Sequence, residues 1–332
     1  MQQIWKLLAL INHPIRNGLL AAAFAVMLAS CGGGGGGVPH WIGTKQLGVA
    51  GHVTLGNSIA TDASGNVYVT GYTYGGLDGN TLTGTTDFFV TKYDSSGVKQ
   101  YTRQLGVAGI ATLGQFVATD ASGNVYVAGY TYGGLDGNTL TGTTDFFVTK
   151  YDSSGVKQYT RQLGVAGQIT KGWSLTTDTS GNVYVAGETT GGLDGNTLTG
   201  TTDFIVTKYN SSGVKQYTRQ LGVAGQITTG WSVTTDTSGN VYVAGETTGG
   251  LDGNALTGTR DFFVTKYNSS GVKQYTRQMG VAGQRTTGWS VTTDANGNVY
   301  VAGDTTGGLD GNTLTGTYDL FVTKYDSSGV KQ

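Results

Sequence analysis

The stretch "GNVYVAGETTGGLDGNTLTGTTDFIVTKYNSSGVKQYTRQLG", Gly181–Gly222, carries the information that decides the fold. "NVYVAGE" (Asn182–Glu188) and "DFIVTKY" (Asp203–Tyr209) are runs rich in β-branched and aromatic residues, bounded by turn residues. "VKQYTRQL" (Val214–Leu221) alternates and is far more polar. Just upstream, "WSLTTD" (Trp173–Asp178) supplies small and β-branched residues. Asp-Thr-Ser-Gly-Asn and Asn-Ser-Ser-Gly have the side chains of tight hairpin turns. The segment predicts four antiparallel strands, a to d, with a long loop between b and c.

The same phrase recurs. GNV begins at Gly65, Gly123, Gly181, Gly239 and Gly297, a constant step of 58 residues, and LGVAG or MGVAG keeps that step from Leu47 to Met279. Self-similarity at this period means supersecondary units that bury their apolar faces against one another. Four strands per unit with only the last one polar is the pattern of a β-propeller blade. Strand a, built of small residues, is expected at the crowded axis. Strand d is expected at the rim, where polar side chains discourage edge pairing.

The chain stops at "SSGVKQ", inside a phrase that elsewhere runs on into "YTRQ". Residues 43–332 make five whole periods, and "GTKQLG" (Gly43–Gly48) stands where "YTRQLG" stands in the other copies. The expectation is an all-β, five-bladed β-propeller of four-stranded antiparallel blades. The N-terminal strand around Trp41–Leu47 would complete the last blade and hide both sheet edges. The alternative is an open arc that closes through a second molecule.

"GNVYVTGYTYGGLDGN", followed by "DFFVTKYDSSGVKQYTRQLG", resembles the SBBP beta-propeller repeat of bacterial surface and secreted proteins. The likeness extends over Gly43–Gln332 and recurs five times, although the family's name refers to seven blades. It implies the propeller fold and a place outside the cytoplasm.

The first 30 residues have the composition of a signal peptide. Lys6 and Arg16 precede the apolar run "GLLAAAFAVML" (Gly18–Leu28), which is too short to span a bilayer. It ends in "LASC", Leu28–Cys31, which resembles the bacterial lipobox. The resemblance implies cleavage before Cys31 and acylation of that cysteine, giving stable membrane anchoring. Residues 31–40, with six consecutive glycines, would be the lipidated cysteine and a flexible tether, and 41–332 the propeller. Gly32, rather than Asp, after the cysteine points to the outer membrane.

Charged residues are 12% of the chain and the formal net charge is −1, so there is no basic footprint for nucleic acid. A single cysteine excludes a disulfide framework. Three histidines (His13, His40 and His52) assemble neither a common metal cluster nor a Ser-His-Asp arrangement. "GGLDGNTLTG" departs from the calcium nonapeptide pattern, leaving Asp78, Asn80 and Asp87 as a weak calcium alternative to an ordinary turn. Near-identical loops repeated five times favour repeated binding over one catalytic centre. A hydrolase using carboxylates from adjacent blades is the remote option. No enzyme activity and no cofactor are expected.

Both long connections, b–c and d–a, emerge on one face, where binding residues usually sit. The five copies differ most there. Copies one and two carry Tyr72 and Tyr130 at the end of strand b, whereas copies three to five carry Glu188, Glu246 and Asp304. The latter three also place a tryptophan at the head of strand a: Trp173, Trp231 and Trp289. With an even four-residue hairpin, Trp173 is expected opposite Glu188. An aromatic face beside a carboxylate suits a glycan or surface-protein ligand. The alternative is loop packing in copies that share an ancestor, in a structural envelope protein without a dedicated ligand.

Overall fold

The computed structural model describes residues 41–332. The expected leader, Cys31 and the glycine tether lie outside the described residues, as do His13 and His40. The described chain is all β apart from short 3₁₀ turns such as Leu77–Gly79. The first sheet comprises β1 (Thr54–Thr61), β2 (Val67–Thr73), β3 (Asp87–Tyr93) and β4 (Lys99–Leu105). The second comprises β5 (Thr112–Thr119), β6 (Val125–Thr131), β7 (Asp145–Tyr151) and β8 (Lys157–Leu163). The third has β9 (Thr170–Thr177), β10 (Val183–Thr189), β11 (Asp203–Tyr209) and β12 (Lys215–Leu221). The fourth has β13 (Thr228–Thr235), β14 (Val241–Thr247), β15 (Asp261–Tyr267) and β16 (Lys273–Met279). The fifth has three strands, β17 (Thr286–Thr293), β18 (Val299–Thr305) and β19 (Asp319–Tyr325). Every pairing within a sheet is antiparallel between chain neighbours, so each repeat is one meander.

The first strands of successive sheets stand side by side. Thr119, Thr177, Thr235 and Thr293 each donate a hydroxyl hydrogen bond to the carbonyl of the equivalent threonine in the sheet before, at 2.8–3.3 Å. Ser174 and Ser232 accept from the backbone N–H groups of Val233 and Val291 in the following sheet. Small hydroxyl side chains thus allow close approach where the sheets converge, the threonines satisfying backbone acceptors there and the serines backbone donors.

Between sheets, the middle strands carry the core. Phe204 stacks on Phe263 with ring centroids 5.0 Å apart, and Phe88 on Phe147 at 4.9 Å, each pair spanning a seam. Tyr184, Val206 and Val243 are fully buried in the seam between the third and fourth sheets. Burying such a side chain contributes about 1.5–3 kcal/mol. Further out, Arg161 of the second sheet donates to the carbonyl of Gly213 in the third at 2.7 Å and lies over Tyr159. The polar fourth strands are therefore stitched to the next sheet as well as solvated.

The expected closure is where the structure departs from the sequence reading. Among the described residues, neither strand pairing nor hydrogen bonding joins the first sheet, or the segment 41–47, to the fifth sheet. Next to β19, a bridge joins Lys331 to Tyr325 and the Gln332 N–H donates to the Lys324 carbonyl. Trp41 instead packs edge-on against Tyr93 of the first sheet, with centroids 5.7 Å apart. The seams repeat one geometry: Phe262 and Phe321, at 4.8 Å, reproduce the two phenylalanine pairs above. At the next seam Leu320 stands where Phe262 presents its ring in the fourth sheet, and it is 80% exposed, so the stacked pair is missing between the fifth sheet and the first.

Candidate functional site

The site on the long-loop face begins with a break in strand pairing. β9 pairs with β10 evenly from Val183↔Thr177 to Ala186↔Ser174, and the register then jumps to Gly187↔Gly172. Trp173 is the extra residue, a β-bulge that turns its side chain out of the regular alternation. The same jump falls between Gly230 and Ser232 and between Gly288 and Ser290, making Trp231 and Trp289 bulge residues too. Gly187 is required opposite the bulge: a Cβ there would lie 1.8 Å from the Lys171 carbonyl oxygen.

This corrects the expected pairing. Glu188 lies opposite Lys171, Glu246 opposite Thr229 and Asp304 opposite Thr287, because the even ladder assumed from turn length ignored the inserted residue. The tryptophans instead meet one another. Trp173 and Trp231 have centroids 5.5 Å apart, as do Trp231 and Trp289, with ring planes inclined by 48° and 42°. Tyr130 extends the row from the second sheet, edge-on to Trp173 at 5.5 Å. The result is one aromatic ladder crossing four sheets, half-buried along its length, in place of separate pockets in each blade. The Lys171 ammonium lies over both Tyr130 and Trp173, 5.2 and 5.4 Å from their centroids. Tyr72 packs on Tyr74 in its own sheet.

The acids lie beside this ladder and bind across seams. Glu188 accepts a hydrogen bond from Thr229 of the next sheet at 2.9 Å, and Glu246 accepts one from Thr287 at 2.7 Å. Arg260 donates to Glu246 at 2.5 Å, and Arg285 stands 3.9 Å away. Asp304, in the last sheet, accepts from the indole Nε1 of its own Trp289 at 2.5 Å. Burial pushes the Tyr130 phenol well above its ordinary range, reinforced by Tyr132, Tyr72 and Glu188. Burial, with Tyr74 adding to it, also raises Tyr72.

Sequence reasoning therefore located the aromatic and acidic residues but missed Lys171, Thr229, Thr287 and Arg285. Their signal was present, since "QITKGWS", "QITTGWS" and "QRTTGWS" vary at these positions. The loop residues weighed for calcium are engaged otherwise. Asp87 is fully buried and accepts from the backbone of Thr83 and Gly84 and from Gln104. Asp78 pairs with Lys99, and Asn80 donates to the Leu77 carbonyl. Among the described residues, no group of three or more His, Cys, Asp or Glu is placed to hold a metal.

A model of the SBBP family, described as a beta-propeller repeat, matches residues 42–78, 100–136, 158–194, 216–252 and 274–310. Among curated proteins, the regulatory protein FlaEY of Caulobacter vibrioides is 28% identical over 218 residues, which cover 59% of this chain and 22% of that one. The chain thus spans about a fifth of that relative. A polysaccharide lyase of family PL25, an ulvan lyase, aligns over 89% of this chain and 74% of its own at 14% identity, with a TM-score of 0.48. A gluconolactonase from Xanthomonas campestris aligns over 80% and 72% at 13% identity, with a TM-score of 0.40. Together the five matches to the family model cover more than half of the chain, which belongs to the SBBP beta-propeller repeat family.

Proposed function

For this member of the beta-propeller repeat family, we propose a lipid-anchored cell-envelope binding module that takes a glycan, or a surface protein, along its aromatic ladder. The observation that carries the reading is the continuity of Tyr130, Trp173, Trp231 and Trp289 as half-buried rings on one face. Rings in a row suit an extended ligand that stacks at several points, with Lys171, Glu188 and Asp304 alongside for hydroxyl and amine groups. Binding is then a property of the whole ladder. The test is a glycan-array screen of the chain carrying Cys31→Ser, repeated with Trp173, Trp231 and Trp289 all changed to Ala. Loss of at least tenfold in affinity is expected. Retained binding by a folded triple variant would place the ligand elsewhere.

Anchoring at the outer membrane rests on the sequence "LASC" at Leu28–Cys31 and on Gly32 after it. Fatty-acid label should enter the natural chain and be absent from Cys31→Ser, and the labelled protein should sediment with outer-membrane fractions. A second reading, a structural envelope protein without a dedicated ligand, is favoured by one observation: Glu188 and Glu246 bond to the next sheet rather than facing open space. It predicts that the triple tryptophan variant loses stability and no binding.

A further inference from the structure

The two ends of the array are the two halves of the seam that the chain builds inside itself. Between the fourth and fifth sheets, Phe262 and Val264 are fully buried under Val291, Val299, Val301, Leu309, Phe321 and Tyr325. One period on, Leu320 and Val322 of β19 occupy the positions of Phe262 and Val264, and they are 80% and 65% exposed. At the other end, Ile59, Val67, Val69, Leu77, Phe89 and Tyr93 repeat the covering set, and together they line a groove of about 670 Å³. Ile59 is 43% exposed where its counterpart Val117, covered by a neighbouring sheet, is 1% exposed.

The segment Gly43–Leu47 also lines that groove. It has the residues of a fourth strand for a sheet it does not join. In the fourth sheet Val264 pairs with Arg277, and the hydroxyls of Thr265 and Thr276 bond at 3.1 Å. Gln278 there accepts from Leu251 N–H and donates to Asp261, at 2.8 and 2.9 Å. In that register Lys45 faces Val322, Thr44 faces Thr323, and Gln46 reaches Leu309 N–H and Asp319. Gly48 completes the match. At Gly106, Gly164, Gly222 and Gly280 an added Cβ would sit 1.7 Å from the aspartate carboxylate of the adjoining strand, whereas Gly48 has nothing within 4 Å. Its glycine is complementary to a carboxylate that its own first sheet does not bring to it.

We propose that the last sheet of one molecule docks on the first sheet of a second copy of this chain, whose Gly43–Gly48 becomes the fourth strand of β19's sheet. The strand would add by main-chain hydrogen bonds to an open edge, while the groove takes Leu320 and Val322. A second copy is the occupant because the donor segment is already seated on its own first sheet, and among the described residues no strand pairing or hydrogen bond ties it to its own last one. The contact is head-to-tail, so it generates rings or filaments rather than a twofold dimer.

The test uses full chains carrying Cys31→Ser. One batch has Lys45→Cys and another Val322→Cys, mixed under mild oxidation. A mixed disulfide dimer, at least tenfold more abundant than in either batch alone, is expected. The absence of that dimer overturns the proposal. A chain carrying both cysteines that cross-links only within the monomer also overturns it, since the ring then shuts on itself. Leu320→Asp, at a position too exposed to affect folding, should weaken self-association in sedimentation by at least tenfold. Unchanged association overturns the docking face.

Discussion

Glu246 of the fourth sheet and Thr287 of the fifth share a hydrogen bond of 2.7 Å across the seam, and the carboxylate is almost wholly buried. Arg260, just ahead of β15, completes its coordination. Removing one member of such a buried, paired set leaves the others unsatisfied. Glu246→Ala should therefore cost about 2–3 kcal/mol in chemical denaturation, because both Thr287 and Arg260 lose their acceptor. Glu188→Ala, whose acid accepts from Thr229 and is more open, should cost about 1 kcal/mol. Equal effects would mean that Arg260 adds nothing to the seam.

The fourth strands meet the third through glycines that admit a carboxylate. A Cβ at Gly164 would lie 1.7 Å from Asp145 Oδ1, and Asp145 is itself fixed by the N–H groups of Thr141 and Gly142. Gly164→Ala should destabilise the chain by about 2–4 kcal/mol through overpacking and loss of those bonds. Gly48→Ala should be close to neutral in a monomer and weaken only self-association. A comparison of melting temperatures at low protein concentration decides between them.

Much of this was legible because the determinants are local and repeated. The sequence places strand c at Asp203–Tyr209, which is β11 without change, since a β-branched and aromatic run between turns has one sensible reading. Strand a, expected from Trp173, begins three residues earlier, because Thr170–Gly172 has loop composition and is held in the strand by its neighbour. The bulge at Trp173 was invisible for a related reason. It falls where the Gly187 backbone approaches the Lys171 carbonyl, a contact between strands that no spacing along one strand reveals. Closure of the ring depends on a contact between the first and fifth sheets, which periodicity along the chain does not encode.

The aromatic ladder has an optical signature. Trp231 stands between Trp173 and Trp289, 5.5 Å from each, close enough for their indole transitions to couple. Circular dichroism near the strong indole band should show a couplet. Trp231→Phe should remove most of it because both neighbouring couplings pass through that ring. Trp289→Phe should remove about half. If the two variants give the same spectrum as the natural chain, the rings are not held in a ladder in solution.

Alkaline pH should unfold the protein through its tyrosines. Burial raises Tyr101, Tyr159, Tyr217 and Tyr275 to about 12, from an ordinary value of 10.0. Burial, together with hydrogen bonds to Asp62, Asp120, Asp178 and Asp236, lifts Tyr68, Tyr126, Tyr184 and Tyr242 further still. A phenol whose value is raised on folding binds its proton more tightly in the folded state. Its stabilising contribution is complete below pH 10 and falls as the pH climbs from 10 towards the folded-state values. Melting temperature should therefore show no tyrosine-linked change from pH 7 to 9 and should drop steeply above pH 10. Phenolate absorbance from these eight residues should rise together with the loss of β-sheet circular dichroism. Ionisation of all eight near pH 10 with the sheets intact would contradict their burial at the seams.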